Sequence, residues 1–236
     1  MARQVKQMGS SVIVYDDRLV GQISPEMFSL SYWPDADVVP GYSGGRGATL
    51  FVSNEGSDWV LKHYHRGGLV GRVLDDGFIW TNLERARSVV EMNVLEAISK
   101  FGLPAPMPVA AHVVRRGLVY TADLITARIP DVTSFSTRIK NAPISASIWK
   151  DVGKCVAQFH NAGFYHADLS THNLQINSAD KIFLLDWDRG RQRKAGSWRK
   201  ENLDRLHRSC VKVSRDGQAH FRPDDWSALV DGYQSA

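Results

Sequence analysis

The sequence predicts an α+β chain in two lobes: a β-rich N-terminal lobe over residues 1–125 and a mainly helical, shortened C-terminal lobe over residues 126–236. Three observations carry this expectation. Apolar and β-branched residues alternate with period two through most of residues 38–62 and 118–124, as half-buried strands require. Apolar residues recur with period 3.6 from Leu83 to Phe101 and from Ser147 to Ala162, as amphipathic helices require. Two polar segments, HADLSTHN at 166–173 and LLDWD at 184–188, lie in the second half.

Residues 38–62 read as strands about a glycine-rich turn, Gly41-Tyr42-Ser43-Gly44-Gly45-Arg46-Gly47, with a second turn at Asn54-Glu55-Gly56-Ser57. Glycines let backbone N–H groups approach phosphate oxygens, and Arg46 adds charge. The spacing is neither GxGxxG nor the P-loop pattern, so taken alone the signal is weak and favours a plain surface hairpin. The helix from Leu83 to Phe101 is expected to bury Leu83, Ala86, Val90, Val94, Leu95, Ile98 and Phe101, and to stop at Gly102. Strand Leu118–Leu124 leads into 125–130, the expected lobe boundary and a hinge whose backbone meets adenine. The helix Ser147–Ala162 turns Ile148, Val152, Cys155, Val156 and Phe159 inward and ends at Gly163. Ile182 to Leu185 is a short apolar strand, and residues 1–30 carry no functional reading.

The polar segments carry the chemistry. In kinase-type phosphotransfer an Asp in a loop accepts the proton of the attacking hydroxyl, an Asn five residues on binds Mg²⁺, and a second Asp at a strand end binds the metal that bridges the phosphates. Asp168, Asn173 and Asp186 have that order and spacing. HxD alone is common; the combination is far more specific. Lys62, at the end of an apolar strand, stands where a lysine contacts the α- and β-phosphates, and it needs a carboxylate from the following helix. Glu84, Glu91 and Glu96 compete for that role. Glu91 has Val94, Leu95 and Ile98 at plus three, four and seven, which turns it inward, whereas Glu84 and Glu96 have polar neighbours and read as solvated. The reading is therefore a two-lobed kinase that uses ATP and Mg²⁺. Ala167 and Ser170 stand where protein kinases carry an Arg and a Lys, only 50 residues follow Asp186, and no Ala-Pro-Glu occurs, so the acceptor is expected not to be a protein.

The charge is local. Residues 189–215 hold ten Lys/Arg against two acidic residues, while the whole chain is only +4, so the remainder is net negative. Such a run is either a solvated face or the partner of an anion. The start of the chain has neither signal-peptide nor anchor character, and no segment approaches the roughly 20 apolar residues of a membrane span. Two cysteines suit a reducing compartment, and the histidines at 63, 65, 160, 166 and 172 form no closed zinc-ligand spacing.

The order GYSGGRG, VLKHYHRGGLVGR, RSVVEMNVLEAI, PAPMPVAAHVV, YTADLITARIPD, FHNAGFYHADLSTHNL and LLDWDRGR resembles the 3-deoxy-D-manno-octulosonic acid (Kdo) kinases of Gram-negative bacteria over about residues 30–215. Its most specific parts are the Arg66-Gly67-Gly68 loop and the Asp-Trp-Asp motif. The resemblance implies a protein-kinase-like fold and transfer of the ATP γ-phosphate to the 4-hydroxyl of Kdo on a lipid A precursor, at the cytoplasmic face of the inner membrane. It gives Asp168 the role of base, Asn173 and Asp186 the metals, and Lys62 with Glu91 the phosphates, beside the turn of Gly44, Gly45, Arg46 and Gly47. Arg66, Arg191, Arg193, Lys194, Arg199 and Lys200 become candidate contacts to the acceptor or the anionic membrane, with Trp198 at headgroup level or in the core. Each basic residue at such a surface contributes about 1 kcal/mol.

Other readings use the same parts: a heptose kinase of the lipopolysaccharide core, an aminoglycoside-type phosphotransferase or, outside enzymes, a pseudokinase or a basic nucleic-acid-binding module. The pseudokinase is disfavoured because no nucleotide or metal ligand is missing. Nucleic acid is not expected as a partner, because aromatic residues are not interleaved with the basic run in an RNA-binding pattern. Oligomeric state has no signal in the sequence.

Overall fold

The structure is a computed structural model that describes residues 3–40, 48–65, 77–215 and 220–236. It is a mixed helix and sheet protein with antiparallel sheets and five α-helices among the described residues. The chain forms two compact units, residues 3–96 with 106–128, and 97–105 with 129–236.

The first unit is built on one antiparallel sheet. Its strands are β1 (Arg3–Met8), β2 (Ser11–Asp16), β3 (Asp37–Pro40), β4 (Ala48–Asn54), β5 (Ser57–His63), β6 (Phe78–Ile79), β7 (Pro108–Arg116) and β8 (Val119–Ala127), ordered β1-β2-β7-β8-β5-β4-β3 with β6 on β8. Residues 3–16, which carry no functional reading in the sequence, thus add a hairpin to this sheet, and β2 pairs with β7. The core on it gathers Ile13, Trp33, Trp59, Leu61, Val109 and Ile125. Trp33 satisfies its indole N–H on the Met27 carbonyl at 2.8 Å, so its burial leaves no donor unpaired. Strand β8 continues through Ala127, three residues beyond the Leu124 end that the pattern suggested.

Helix α1 (Arg87–Lys100) is shorter than the sequence predicts. The Asn82 side chain accepts from Arg85 N and draws Leu83–Arg85 into a 3-10 turn, and Ala86 is extended at ψ 136, so the helix restarts at Arg87. That break rotates the buried stripe: Val89 and Met92 are buried with Ala86, Leu95 and Ile98, and Phe101 is exposed.

The second unit adds β9 (Thr133–Ser134), α2 (Phe135–Asn141), α3 (Ala146–Asn161), β10 (Phe164–Tyr165), β11 (Leu174–Ile176), β12 (Ile182–Leu184), β13 (Arg191–Gln192), α4 (Trp198–Arg215) and α5 (Pro223–Gln234). Helices α3 and α5 touch backbone to backbone. A Cβ at Gly153 would lie 2.0 Å from the Leu229 carbonyl, and one at Gly232 would lie 2.0 Å from that of Lys150, so only glycine fits at either crossing point. Both cysteines are buried, and burial pushes each thiol up to about 12, so neither is a nucleophile. Trp198 is a core residue whose indole donates to the Lys194 carbonyl at 2.7 Å, which removes it from any headgroup role.

Candidate active site

In the first unit the strand period brings three side chains together. Lys62 and Tyr64 are two residues apart at the end of β5, and α1 supplies Glu91. Lys62 Nζ lies 3.0 Å from Glu91 Oε2 and 3.4 Å from Oε1, the Tyr64 hydroxyl donates to Oε2, and the ammonium sits 4.8 Å from the Tyr64 ring centre. Glu91 is buried, so its charge requires these donors. Glu84 stays exposed, but Glu96, expected to be solvated, is buried with Arg3 of β1 at 3.7 Å. Tyr64 was missed by the sequence reading; the only signal was its period-two relation to Lys62. Gly44, Gly45, Arg46, Gly47 and Arg66 lie outside the described residues.

In the second unit a hairpin of β11 and β12 aligns the polar segments. Leu174 pairs with Leu184, and Leu185 N donates to the Asn173 carbonyl at 2.9 Å, which sets Asn173 and Asp186 at the same end of the ladder. Asp186 has φ 59 and Arg189 φ 62, so the chain bends sharply on leaving the strand. Trp187 fills the interior of that bend, its indole donating to the Leu184 carbonyl at 2.9 Å, and a Cβ at Gly190 would stand 2.8 Å from its ring.

His166 joins the two segments. Its Nε2 donates to the Leu185 carbonyl at 2.9 Å while its Nδ1 accepts from Asp168 N at 3.1 Å, which fixes one neutral tautomer. Burial also holds its pKa below the ordinary histidine value, and protonation would set two N–H groups against each other. The imidazole is therefore a structural clasp: it ties the Asp168 loop to the residue before Asp186.

The loop is held from behind by α4. Asn202 makes a two-way bond with the His166 backbone, at 3.0 and 3.3 Å, and Ser209 bonds the Thr171 amide and hydroxyl at 3.1 and 2.9 Å. Arg205, on the same helix face, grips Asp168 Oδ1 through Nε at 3.0 Å and through Nη2. The cation beside Asp168 therefore comes from α4 and not from the loop itself. Sequence reading missed Arg205, Asn202 and Ser209 because they lie 36 to 38 residues from their partners.

Asn173 is buried and donates its amide to the Asp168 carbonyl at 2.8 Å, which leaves Oδ1 as its available acceptor. With the Asp186 carboxylate it offers two hard oxygen ligands, a set that suits Mg²⁺ completed by water and phosphate oxygens. Among the described residues no three His, Cys, Asp or Glu side chains gather around a common metal position.

The basic run does not act as one surface. Arg191 and Arg193 are exposed and lie 5.5 and 5.0 Å from the Tyr165 ring centre, and Lys194 is exposed. Lys200 pairs with Asp204 at 2.7 Å, and Arg199 is half-buried, donating to the His160 carbonyl at 2.8 Å. No helix among the described residues is long and apolar enough to cross a membrane.

The lipopolysaccharide kinase (Kdo/WaaP) family matches residues 31–233. A 3-deoxy-D-manno-octulosonic acid kinase of Vibrio parahaemolyticus is 34% identical over 222 residues, 94% of this chain and 93% of the relative. Kinases of the same description from Photobacterium profundum and Stenotrophomonas maltophilia are 33% and 34% identical, covering 94% and 97% of this chain and 94% and 91% of their own.

Proposed function

This chain belongs to the lipopolysaccharide kinase (Kdo/WaaP) family, and on that premise we propose that it transfers the γ-phosphate of Mg·ATP to the 4-hydroxyl of the Kdo sugar on a lipid A precursor, a step of lipopolysaccharide core biosynthesis. In this reading the fold is protein-kinase-like, with functional lobes at residues 1–125 and 126–236. Asp168 accepts the proton of the attacking hydroxyl. Lys62, held by Glu91 and Tyr64, neutralises the α- and β-phosphates beside the turn of Gly44, Gly45, Arg46 and Gly47. Asn173 and Asp186 hold Mg²⁺, which supplies charge stabilisation along the phosphate chain. The enzyme works peripherally at the cytoplasmic face of the inner membrane, where Arg66, Arg191, Arg193, Lys194 and Lys200 meet anionic lipid or acceptor; Arg199 is committed to the His160 carbonyl.

The observation that carries this reading is the His166 clasp. It gives Asp168 and the metal-ligand segment one fixed separation, as in-line phosphoryl transfer requires, and it leaves the Asp168 carboxylate half exposed for an acceptor. Incubation with Mg·ATP and a Kdo-bearing lipid A precursor should add one phosphate to the Kdo, located by tandem mass spectrometry. Phosphate on another sugar, or none, would remove the assignment.

A further inference from the structure

A cavity of about 370 Å³ opens beside Asp168 in the second unit, and its wall is cationic. Arg205, Arg208 and Lys212 come from one face of α4, at spacings of three and four residues, and Lys140 comes from the last turn of α2. Asp168 is the only acidic residue of the lining, and Arg205 already answers it. Lys140, Arg208 and Lys212 are exposed and form no ion pair among the described residues.

Two helices therefore aim positive charge at one spot within reach of Asp168. A pocket of this size suits one sugar rather than a lipid chain. A pocket for a neutral sugar would have no use for three unanswered cations.

We propose that this cavity seats the acceptor, and that Lys140, Arg208 and Lys212 bind an oxyanionic group close to the hydroxyl that is phosphorylated. The inference rests on the proposed function and names the acceptor's recognition element. Carboxylate and phosphate share this chemistry, and a Kdo-lipid A precursor offers both. Arg205 touches both Asp168 and the cavity, so it is a positioning residue that orients the base toward the seated sugar. Arg191, Arg193 and Lys194 are then left to the membrane.

The test uses Arg208→Gln/Lys212→Gln and Lys140→Gln in the full chain, with circular dichroism to show retained folding. Steady-state kinetics should give at least about a tenfold rise in acceptor KM for the double variant, with ATP KM changed less than about twofold, because a charge-assisted hydrogen bond is worth about 1.5–3 kcal/mol. Two acceptors separate the anion's source: one with the Kdo carboxylate reduced to an alcohol, one with the lipid A phosphates removed. The variant's penalty should vanish only for the acceptor that lacks the bound group. An acceptor KM that is unmoved in every variant, while wild type turns over normally, overturns the pocket and leaves the kinase reading intact. Should wild type not phosphorylate the acceptor at all, the kinase reading falls, and titration of free Kdo and of inorganic phosphate still decides the pocket. Binding by wild type that the double variant loses supports it, and equal binding by both refutes it.

Discussion

Replacing Glu91 by Ala removes the carboxylate that Lys62 and Tyr64 both address. Breaking a buried ion pair at one partner costs about 3–5 kcal/mol, because the remaining charge loses its compensation. Lys62 keeps 20% of its side-chain exposure, so water offsets part of that loss and the lower end, about 3 kcal/mol, is expected. At about 2–4 °C per kcal/mol for a chain of this size, the melting temperature should fall by about 6–12 °C. The displaced ammonium should also raise ATP KM by at least about tenfold. A paired design separates the two effects: Lys62→Met with Glu91→Leu exchanges the ion pair for apolar packing and should recover most of the stability and none of the activity. Thermal melts by near-UV circular dichroism and ATP kinetics read the two arms. If the double variant lost the sum of the single losses, or if Glu91→Ala kept its ATP KM, the pair would be neither coupled nor a phosphate anchor.

Asp168→Asn should lower kcat by about 10²–10⁴ and leave ATP KM nearly unchanged, since the lost group handles a proton; retention of more than half of kcat would contradict the assignment. His160 is buried, and burial pushes its pKa down to about 4 from 6.5. The folded state resists protonation that the unfolded chain accepts, so stability is complete above about pH 6.5 and falls by about 3 kcal/mol toward pH 4. Urea denaturation at pH 7.5, 5.5 and 4 should show a shallower decline for His160→Gln; parallel declines would place the acid lability elsewhere, with His166 and His172, which are shifted in the same direction. Changing Arg191, Arg193 and Lys194 to Gln should reduce cosedimentation with anionic vesicles at low salt and leave ATP KM unmoved, whereas undiminished binding would make those residues a solvated face.

The parts of this protein that were legible in its sequence are those where the signal is local. Asp168, Asn173 and Asp186 fall within one short stretch, and the backbone that presents them is a single loop and hairpin. Strands β4, β5 and β8 and helix α3 announce themselves by period, because one face of each is buried against a core. The start of α1 was misjudged because a side-chain bond from Asn82 outweighs the apolar repeat. Strand β1 gave no signal, since most of its residues are exposed and it is held by pairing with β2 rather than by burial. Trp198, which its basic sequence neighbours left open between headgroup level and the core, is buried, and its indole finds the Lys194 carbonyl one turn back.

The same cause explains why composition alone could not divide the basic run. A helix divides its residues by face, so composition along 189–215 averages over different environments. On α4, Trp198, Asn202, Leu206 and Cys210 are buried; Asn202, Arg205 and Ser209 take hold of the 166–173 loop; and Arg205, Arg208 and Lys212 open onto the cavity. Lys200 pairs with Asp204 on the exposed face. The helix that braces Asp168 therefore also charges the space in front of it. An acceptor oxyanion drawn to Arg208 and Lys212 would bring its sugar onto Asp168 because one rigid element carries both contacts, and precise placement of a reacting hydroxyl is what phosphoryl transfer most needs from the protein.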